Sequence, residues 1–216
     1  MLELPPTETT IVYIDECGRG SLVFDVTAAA VIMPATPSHD IISKLEMIKD
    51  SKKLTPKRRE MLAEFIKENA VAWAIGSATV DEVDRYNILQ ANFLAMHRAL
   101  DVIHAKCRFD KIEVDGNSFR PYIPPGEENK DWVPFECIVD GDAKKIGIAA
   151  ASIIAKVHRD KQIEELCDQN PELHNRYGLR SNKGYGTKQH LDGLKAHGPS
   201  PYHRKTFAPV AAVQGK

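Results

Sequence analysis

The apolar positions of this chain fall into five short runs and four longer periodic stretches. The first run, Thr9-Thr10-Ile11-Val12-Tyr13-Ile14, is β-branched and predicts a strand that ends where Asp15 and Glu16 follow. Residues 22–34 (LVFDVTAAAVIMP) predict a second strand, antiparallel to the first because the connection is short. Residues 38–50 read as a short amphipathic helix or ordered loop. A helix then starts with Thr55 as its N-cap and Pro56 as its first residue, and Met61, Leu62, Phe65 and Ile66 form its apolar stripe. Residues 71–80 predict a third strand, and residues 87–103 a helix burying Ile88, Leu89, Phe93, Leu94, Met96 and Leu100.

Residues 111–115 predict a fourth strand that delivers Asp115 at its end. Residues 118–133, rich in proline and charge, read as a long surface loop. Residues 134–139 predict a fifth strand, ending at Asp140-Gly141-Asp142, before an Ala-rich helix over residues 143–168 that Asp142 is placed to cap. Thr187 caps a last helix, residues 188–197, stopped by Gly198-Pro199. Strands followed by alternating helix and strand imply a mixed sheet with helices on its faces. Ligands of open α/β sheets gather at the carboxyl ends of strands. Asp15, Glu16, Asp115 and Asp142 all fall at such ends, so four carboxylates can meet at one point. Adjacent side chains on a regular strand point to opposite faces, so the backbone must twist or end at Asp15-Glu16, which Gly18 and Gly20 permit.

Length and composition narrow the class. With 216 residues, 43% of them hydrophobic and 27% charged, one soluble domain is the natural reading. No apolar run approaches the roughly 18 residues of a membrane span. The segment Met1-Leu2-Glu3-Leu4-Pro5-Pro6 lacks a basic region followed by an apolar core, so a cytoplasmic protein is expected. Cys17, Cys107, Cys137 and Cys167 form no CxxC pair, which points to reduced thiols rather than structural zinc. Cys17, beside the acids, reads as a packing residue. Charge is uneven: residues 1–50 hold eight Asp and Glu against three Lys and Arg, and residues 171–216 hold eight Lys and Arg against two Asp and Glu. An acidic beginning suits metal chelation, and a basic end suits a polyanion.

Four carboxylates in one place repel one another unless a cation joins them. Mg²⁺ prefers such hard oxygen ligands and is completed by water and phosphate oxygens. Two divalent ions can activate a water and stabilise the leaving oxygen in a displacement at phosphorus. Lys183, Lys188, Lys195, Arg204 and Lys205 would hold phosphates without reading sequence, with Lys52 doing the same from the other side. Tyr185 between Gly184 and Gly186 reads as exposed on a close-approach loop. His97, His158, His174 and His203 show no partner in sequence, and His190 is a candidate phosphate contact.

The motifs Asp15-Glu16-x-Gly18-Arg19-Gly20, Asp50-Ser51-Lys52-Lys53-Leu54, Ile88-Leu89-Gln90-Ala91, Asp115-Gly116-Asn117 and Gly141-Asp142-Ala143-Lys144 occur in this order. They are followed by Ala149-Ala150-Ala151-Ser152-Ile153-Ile154-Ala155-Lys156-Val157, Lys183-Gly184-Tyr185-Gly186-Thr187 and His203-Arg204 before Phe207-Ala208-Pro209-Val210. Through most of its length the chain thus resembles the type 2 ribonucleases H, specifically ribonuclease HII. The resemblance implies an α/β, RNase H-like mixed five-stranded sheet with flanking helices and a helical C-terminal extension. It implies a single catalytic domain over residues 1–216, with 171–216 as a basic substrate-binding extension. The implied activity is endonucleolytic hydrolysis of RNA in RNA–DNA hybrids and nicking 5′ of ribonucleotides embedded in duplex DNA, leaving 3′-hydroxyl and 5′-phosphate ends. Asp15, Glu16, Asp115 and Asp142 match the family's metal-binding carboxylates, implying two Mg²⁺ or Mn²⁺ ions. Gly18, Arg19 and Gly20 match the element that grips the nucleotide at the RNA–DNA junction. Tyr185 matches the tyrosine that packs on the next deoxyribose and helps sense the 2′-hydroxyl, the group that distinguishes RNA locally.

The chain departs from the family pattern after Gly20, where Ser21-Leu22-Val23-Phe24-Asp25-Val26 replaces a proline and a small-residue stretch. A looser turn and an extra charge near the acidic centre are expected there. The alternatives are an enzyme that cuts hybrids without recognising single ribonucleotides, a non-catalytic hybrid-binding protein, and a DNA-only nuclease or integrase on the same fold. The presence of Gly18, Arg19, Gly20 and Tyr185 disfavours the first and third, and all four acids disfavour the second. A monomer is expected.

Overall fold

The computed structural model describes residues 3–36, 38, 42–44, 55–126 and 131–214. Five strands form one sheet in the order β3-β2-β1-β4-β5, where β1 is Ile11–Cys17, β2 Val26–Ile32, β3 Ala72–Ala78, β4 Lys111–Asp115 and β5 Phe135–Ile138. β1 pairs antiparallel with β2 and parallel with β4, and β4 pairs parallel with β5, so the sheet is mixed, as the element order implies. β1 and β2 are buried almost throughout, as central strands covered on both faces must be. β3, at the sheet edge, alternates buried and half-buried positions.

Helices named here are α1 Pro56–Asn69, α2 Val80–Tyr86, α3 Ile88–His104, α4 Ile146–Gln169, α5 Pro171–Tyr177, α6 Leu179–Asn182, α7 Lys188–His197 and α8 Ala208–Ala211. Local chemistry explains their ends. The Thr55 hydroxyl accepts the Arg58 N–H with Pro56 opening α1, and the Thr187 side chain accepts the His190 N–H at the start of α7. Met61, expected in the α1 stripe, is 66% exposed; Ala63 is buried instead, beside Leu62 and Ile66. On α3, Leu89 is likewise exposed, whereas Phe93, Met96 and Leu100 are buried.

Other expectations move. β1 does not end before Asp15: the strand runs through Asp15, Glu16 and Cys17, because β2 continues to pair with it as far as Cys17↔Thr27. The second strand begins at Val26, since residues 21–25 make isolated pairings elsewhere, Ser21 with Tyr185 and Val23 with His203. The long helix begins at Ile146, and Asp142 lies in a separate 3₁₀ turn, Gly141–Ala143, so it does not cap α4. α2 was not expected; a reciprocal capping box between Thr79 and Glu82 starts it. The 118–133 loop, as far as it is described, buries Phe119 and Tyr122, whose rings meet His97, Phe109 and Phe135. Most of residues 38–50 and all of Asp50-Ser51-Lys52-Lys53-Leu54 lie outside the described residues.

By contact, the chain forms two units. The first comprises Met1–Cys17, Thr27–Ser77 and Phe93–Val157, with the sheet and a core that joins β2 to the first part of α4 through Ala29, Val31, Ala149, Ala150 and Ile154. Here Gly147 lets the start of α4 lie hard against β1, since a Cβ at Gly147 would fall 2.1 Å from the Tyr13 ring. The second comprises Gly18–Val26, Ala78–Asn92 and His158–Lys216, with a core around Val23, Ile163, Leu173, Tyr177, Leu179 and Leu194. Among the described residues no helix is long and apolar enough to cross a membrane.

Candidate active site

In the first unit, the β1–β4 register ends at Ile14↔Val114. The next residue on each parallel strand is an aspartate, so Asp15 and Asp115 emerge in step on neighbouring strands. Asp15 is buried, and burial together with the negative charge of Glu16 and Asp115 raises its pKa well above the usual aspartate range. The Glu16 N–H donates to Asp15 Oδ1 at 2.7 Å, and the Ser152 side chain on α4 donates to the same carboxylate. Asp115 is also raised, first by burial and then by Asp142 and Asp140. The Gly141 N–H meets Asp115 Oδ1 at 2.7 Å, and a Cβ at Gly141 would fall 2.6 Å from Ile148 Cδ1, so glycine favours the close backbone approach. Glu16 and Asp142 line one cleft of about 210 Å³ with Cys17, Arg59, Ser152, Ile153 and Lys156.

The four acids predicted from strand ends are therefore brought together in one neighbourhood, although Asp15 and Glu16 come from within the strand. Asp15 and Asp115 are pushed away from ionisation by burial and like charge, which fits a hard divalent cation as the missing partner of an all-oxygen donor set. Among the described residues no three His, Cys, Asp or Glu side chains are grouped closely enough to hold a metal ion by themselves.

In the second unit, Gly18-Arg19-Gly20 opens a loop built around two buried arginines. Arg204 Nη1 donates to the carbonyls of Gly18 (2.8 Å), Arg19 (3.1 Å) and Ser21 (2.7 Å), and its Nε donates to that of Phe24 (2.8 Å). Arg159 donates to the carbonyls of Val23, Asp25 and Lys183. Burial lowers Arg204 to about 9, with the neighbouring Arg159 charge adding to the effect. Among the described residues no peptide bond is cis. Across a trans peptide the N–H points opposite to the carbonyl. With the Gly18 and Arg19 carbonyls turned onto Arg204, the N–H groups of Arg19 and Gly20 face away from it. Successive N–H groups so directed make an anion-accepting concavity. Gly18 has φ +92°, and a Cβ there would fall 2.1 Å from Arg159 Nε.

The expected loose turn after Gly20 is a tight one. Besides the arginine contacts, the Ser21 hydroxyl donates to the Val23 carbonyl, the Leu22 N–H to Gly184 and the Phe24 N–H to Tyr202. Asp25 is raised by its own burial, and a hydrogen bond from the Val80 N–H together with the nearby Arg204 and Arg159 charges offsets part of that rise. Tyr185 is 38% exposed, and Arg159 approaches its ring at 5.8 Å. Arg19 is exposed. Lys183 pairs with Glu164 at 2.5 Å, and Lys188 with Asp192 at 2.6 Å.

Two sequence assignments change. Arg204 is wholly buried and holds backbone carbonyls, so it is not a phosphate contact. His190 is also buried, bonded to His203 and to the Tyr185 carbonyl, so it does not contact phosphate either. Arg159 was missed; the polar run around it on α4 reads as a solvated face. Cys17 packs in the core of the first unit, as expected. Lys52 lies outside the described residues.

Comparison with known proteins adds an independent line. The Ribonuclease HII family model matches residues 12–210. A ribonuclease HII of Neisseria meningitidis serogroup C is 45% identical over 197 residues, covering 91% of each chain. One of Paramagnetospirillum magneticum is 46% identical over 198 residues, covering 92% of this chain and 90% of the relative. The crystal structure of the ribonuclease H2 from Pyrococcus horikoshii shares the fold with a TM-score of 0.69 at 23% identity, over 94% of this chain and 96% of that one.

Proposed function

The chain belongs to the ribonuclease HII family and is a ribonuclease H-type hydrolase, and on that premise we propose its specific reaction. It hydrolyses the RNA strand of RNA–DNA hybrids and nicks duplex DNA on the 5′ side of an embedded ribonucleotide, leaving 3′-hydroxyl and 5′-phosphate ends. The observation that carries this reading is the emergence of Asp15 and Asp115 side by side, with Glu16 and Asp142 on one cleft. These four would hold two divalent ions, Mg²⁺ or Mn²⁺. When bound, such ions supply an activated water and stabilisation of the leaving oxygen.

The chain's own groups orient the acids. The Glu16 N–H and Ser152 hold Asp15, and the Gly141 N–H holds Asp115, so neither carboxylate must reorganise when charge is added. The outward N–H groups of Arg19 and Gly20, with the Arg19 side chain, receive the phosphate at the junction, and Tyr185 packs on the adjacent sugar. Lys183 assists once substrate competes with Glu164, and Lys52 contributes a further phosphate contact. The protein acts as a cytoplasmic monomer, in ribonucleotide excision repair or RNA primer removal.

The test uses a labelled DNA duplex carrying one ribonucleotide, beside an all-RNA/DNA hybrid of the same sequence, each with Mg²⁺ or Mn²⁺. An EDTA-sensitive nick 5′ of the ribonucleotide is expected. Cleavage of the hybrid alone would defeat the junction reading, and silence on both would defeat the catalytic one.

A further inference from the structure

His190, on α7, and His203 lie buried in the second unit with Nε2 atoms 3.0 Å apart. Their protons can be placed by chemistry. His203 Nδ1 lies 2.9 Å from the backbone nitrogen of Ser200, and an amide N–H can only donate, so Nδ1 accepts. A neutral His203 therefore carries its proton on Nε2 and donates it to His190 Nε2. His190 must then carry its proton on Nδ1, which lies 3.1 Å from the Tyr185 carbonyl oxygen, an atom that can only accept. The Ser200 hydroxyl, 2.8 Å from the same His203 Nδ1, donates to it as well, so each ring nitrogen either donates or accepts throughout. A single direction of donation runs from Ser200 through both imidazoles to Tyr185.

We propose that His190 and His203 form a neutral, proton-ordered relay that fixes the Tyr185 backbone, making both positioning residues for ribose recognition. This rests on the reading of Tyr185 given above as the residue that packs on the sugar. The Tyr185 carbonyl also accepts from Thr187, its N–H donates to Asn182, and its backbone bridges to Ser21, so the relay completes a peptide held on every side. A further proton on His190 Nε2 would set N–H against N–H between the rings, and one on His203 Nδ1 would face the Ser200 N–H and turn the Ser200 hydroxyl from donor to acceptor, so either disrupts the relay. Tyr177 of α5 is the titratable group packed on both rings, at 5.9 and 4.7 Å between centroids, and its hydroxyl is committed to the Gly198 carbonyl. Burial and the neighbouring His190 push His203 down to about 4, and burial lowers His190 as well.

The wild-type protein tests the relay first. Imidazole ¹⁵N spectra should show His190 protonated at Nδ1 and His203 at Nε2, both unchanged between about pH 8 and pH 5.5. Either ring titrating near its ordinary midpoint, or the opposite tautomers, would overturn the proposal. His190→Gln places an amide near Nε2 and loses the donor to Tyr185, whereas His190→Asn keeps a donor near the Nδ1 position. The first should lower single-ribonucleotide cleavage relative to hybrid cleavage by about tenfold, the second should recover most of it, and the loss should vanish in a Tyr185→Ala background. If Tyr185→Ala keeps the wild-type preference, the reading of Tyr185 fails. If Tyr185→Ala destroys the preference and His190→Gln leaves it intact, the relay fails.

Discussion

Asp15 and Arg204 are both ionisable, both withdrawn from water, and treated in opposite ways. Around Arg204 the second unit supplies four carbonyl oxygens, so the buried cation is solvated by backbone. Around Asp15 the first unit supplies two hydrogen bonds but adds the charges of Glu16 and Asp115. One charge is met by backbone carbonyls at Nε and Nη1, with its buried Nη2 left without a partner, and organises a loop. The other is left in deficit, as a site that expects a cation from outside must be. On the proposed function, the contrast separates a recognition element made once, during folding, from a reactive centre completed only when ions and substrate arrive.

The comparison breaks first at the reactive centre. Asp115→Asn should cut turnover on either substrate by on the order of a thousandfold, a barrier rise of about 4 kcal/mol, while gel-shift affinity for the hybrid is kept. Near-normal turnover would remove Asp115 from the chemistry. Next comes Arg204→Met, which leaves the buried Gly18 and Ser21 carbonyls without their donor and should cost about 4 kcal/mol in urea unfolding. Arg204→Lys should not restore it, because one ammonium cannot span the carbonyls that the guanidinium fork holds. Equal stability of Arg204→Lys and wild type would show that charge alone matters there.

The smallest effect has the opposite sign. Folded Asp15 keeps its proton to a higher pH than the unfolded chain does, so the metal-free protein binds more protons folded and loses stability as pH rises from the ordinary aspartate range through the raised value. Asp15→Asn should therefore stabilise the metal-free protein at neutral pH by on the order of 1 kcal/mol, measured by thermal unfolding in EDTA. A destabilised variant would mean that Asp15 is better solvated than its neighbours allow. The histidine pair runs the other way. With His203 held down to about 4, its contribution is lost as pH falls below the unfolded value and grows as pH rises through that window.

Much of this was legible wherever a short-range rule decides the outcome. Thr55-Pro56 and Thr187 capped the helices they promised, and Asp115 ended its strand. Reading Asp15, Glu16, Asp115 and Asp142 as neighbours needed only the alternation of strands and the tendency of acids to fall at their ends. What stayed hidden depends on distance along the chain. Arg204 reaches the carbonyl of Gly18 across 186 residues, and Arg159 that of Val23 across 136, so nothing near either arginine signals burial. His190 and His203 look ordinary until the fold joins their ring nitrogens. β1 outlasted its predicted end because β2 continued to pair with it, a tertiary effect that local pattern does not carry. Met61 shows the limit of periodicity, since a residue on the edge of an apolar stripe can face water at little cost.

The parallel pairing of β1 with β4 also sets when the chemistry can first exist. The Thr10 backbone at the start of this pairing bonds the Asp110 side chain 100 residues away, and Asp15 meets Asp115 only after that long loop has closed. Closing it costs chain entropy before any contact repays it, which makes such pairings slow to form. Asp142 must wait for β5 as well. If these acids carry the proposed chemistry, catalytic competence is a late event in folding, and a growing chain on the ribosome, however helical, carries no nuclease until most of its length has emerged.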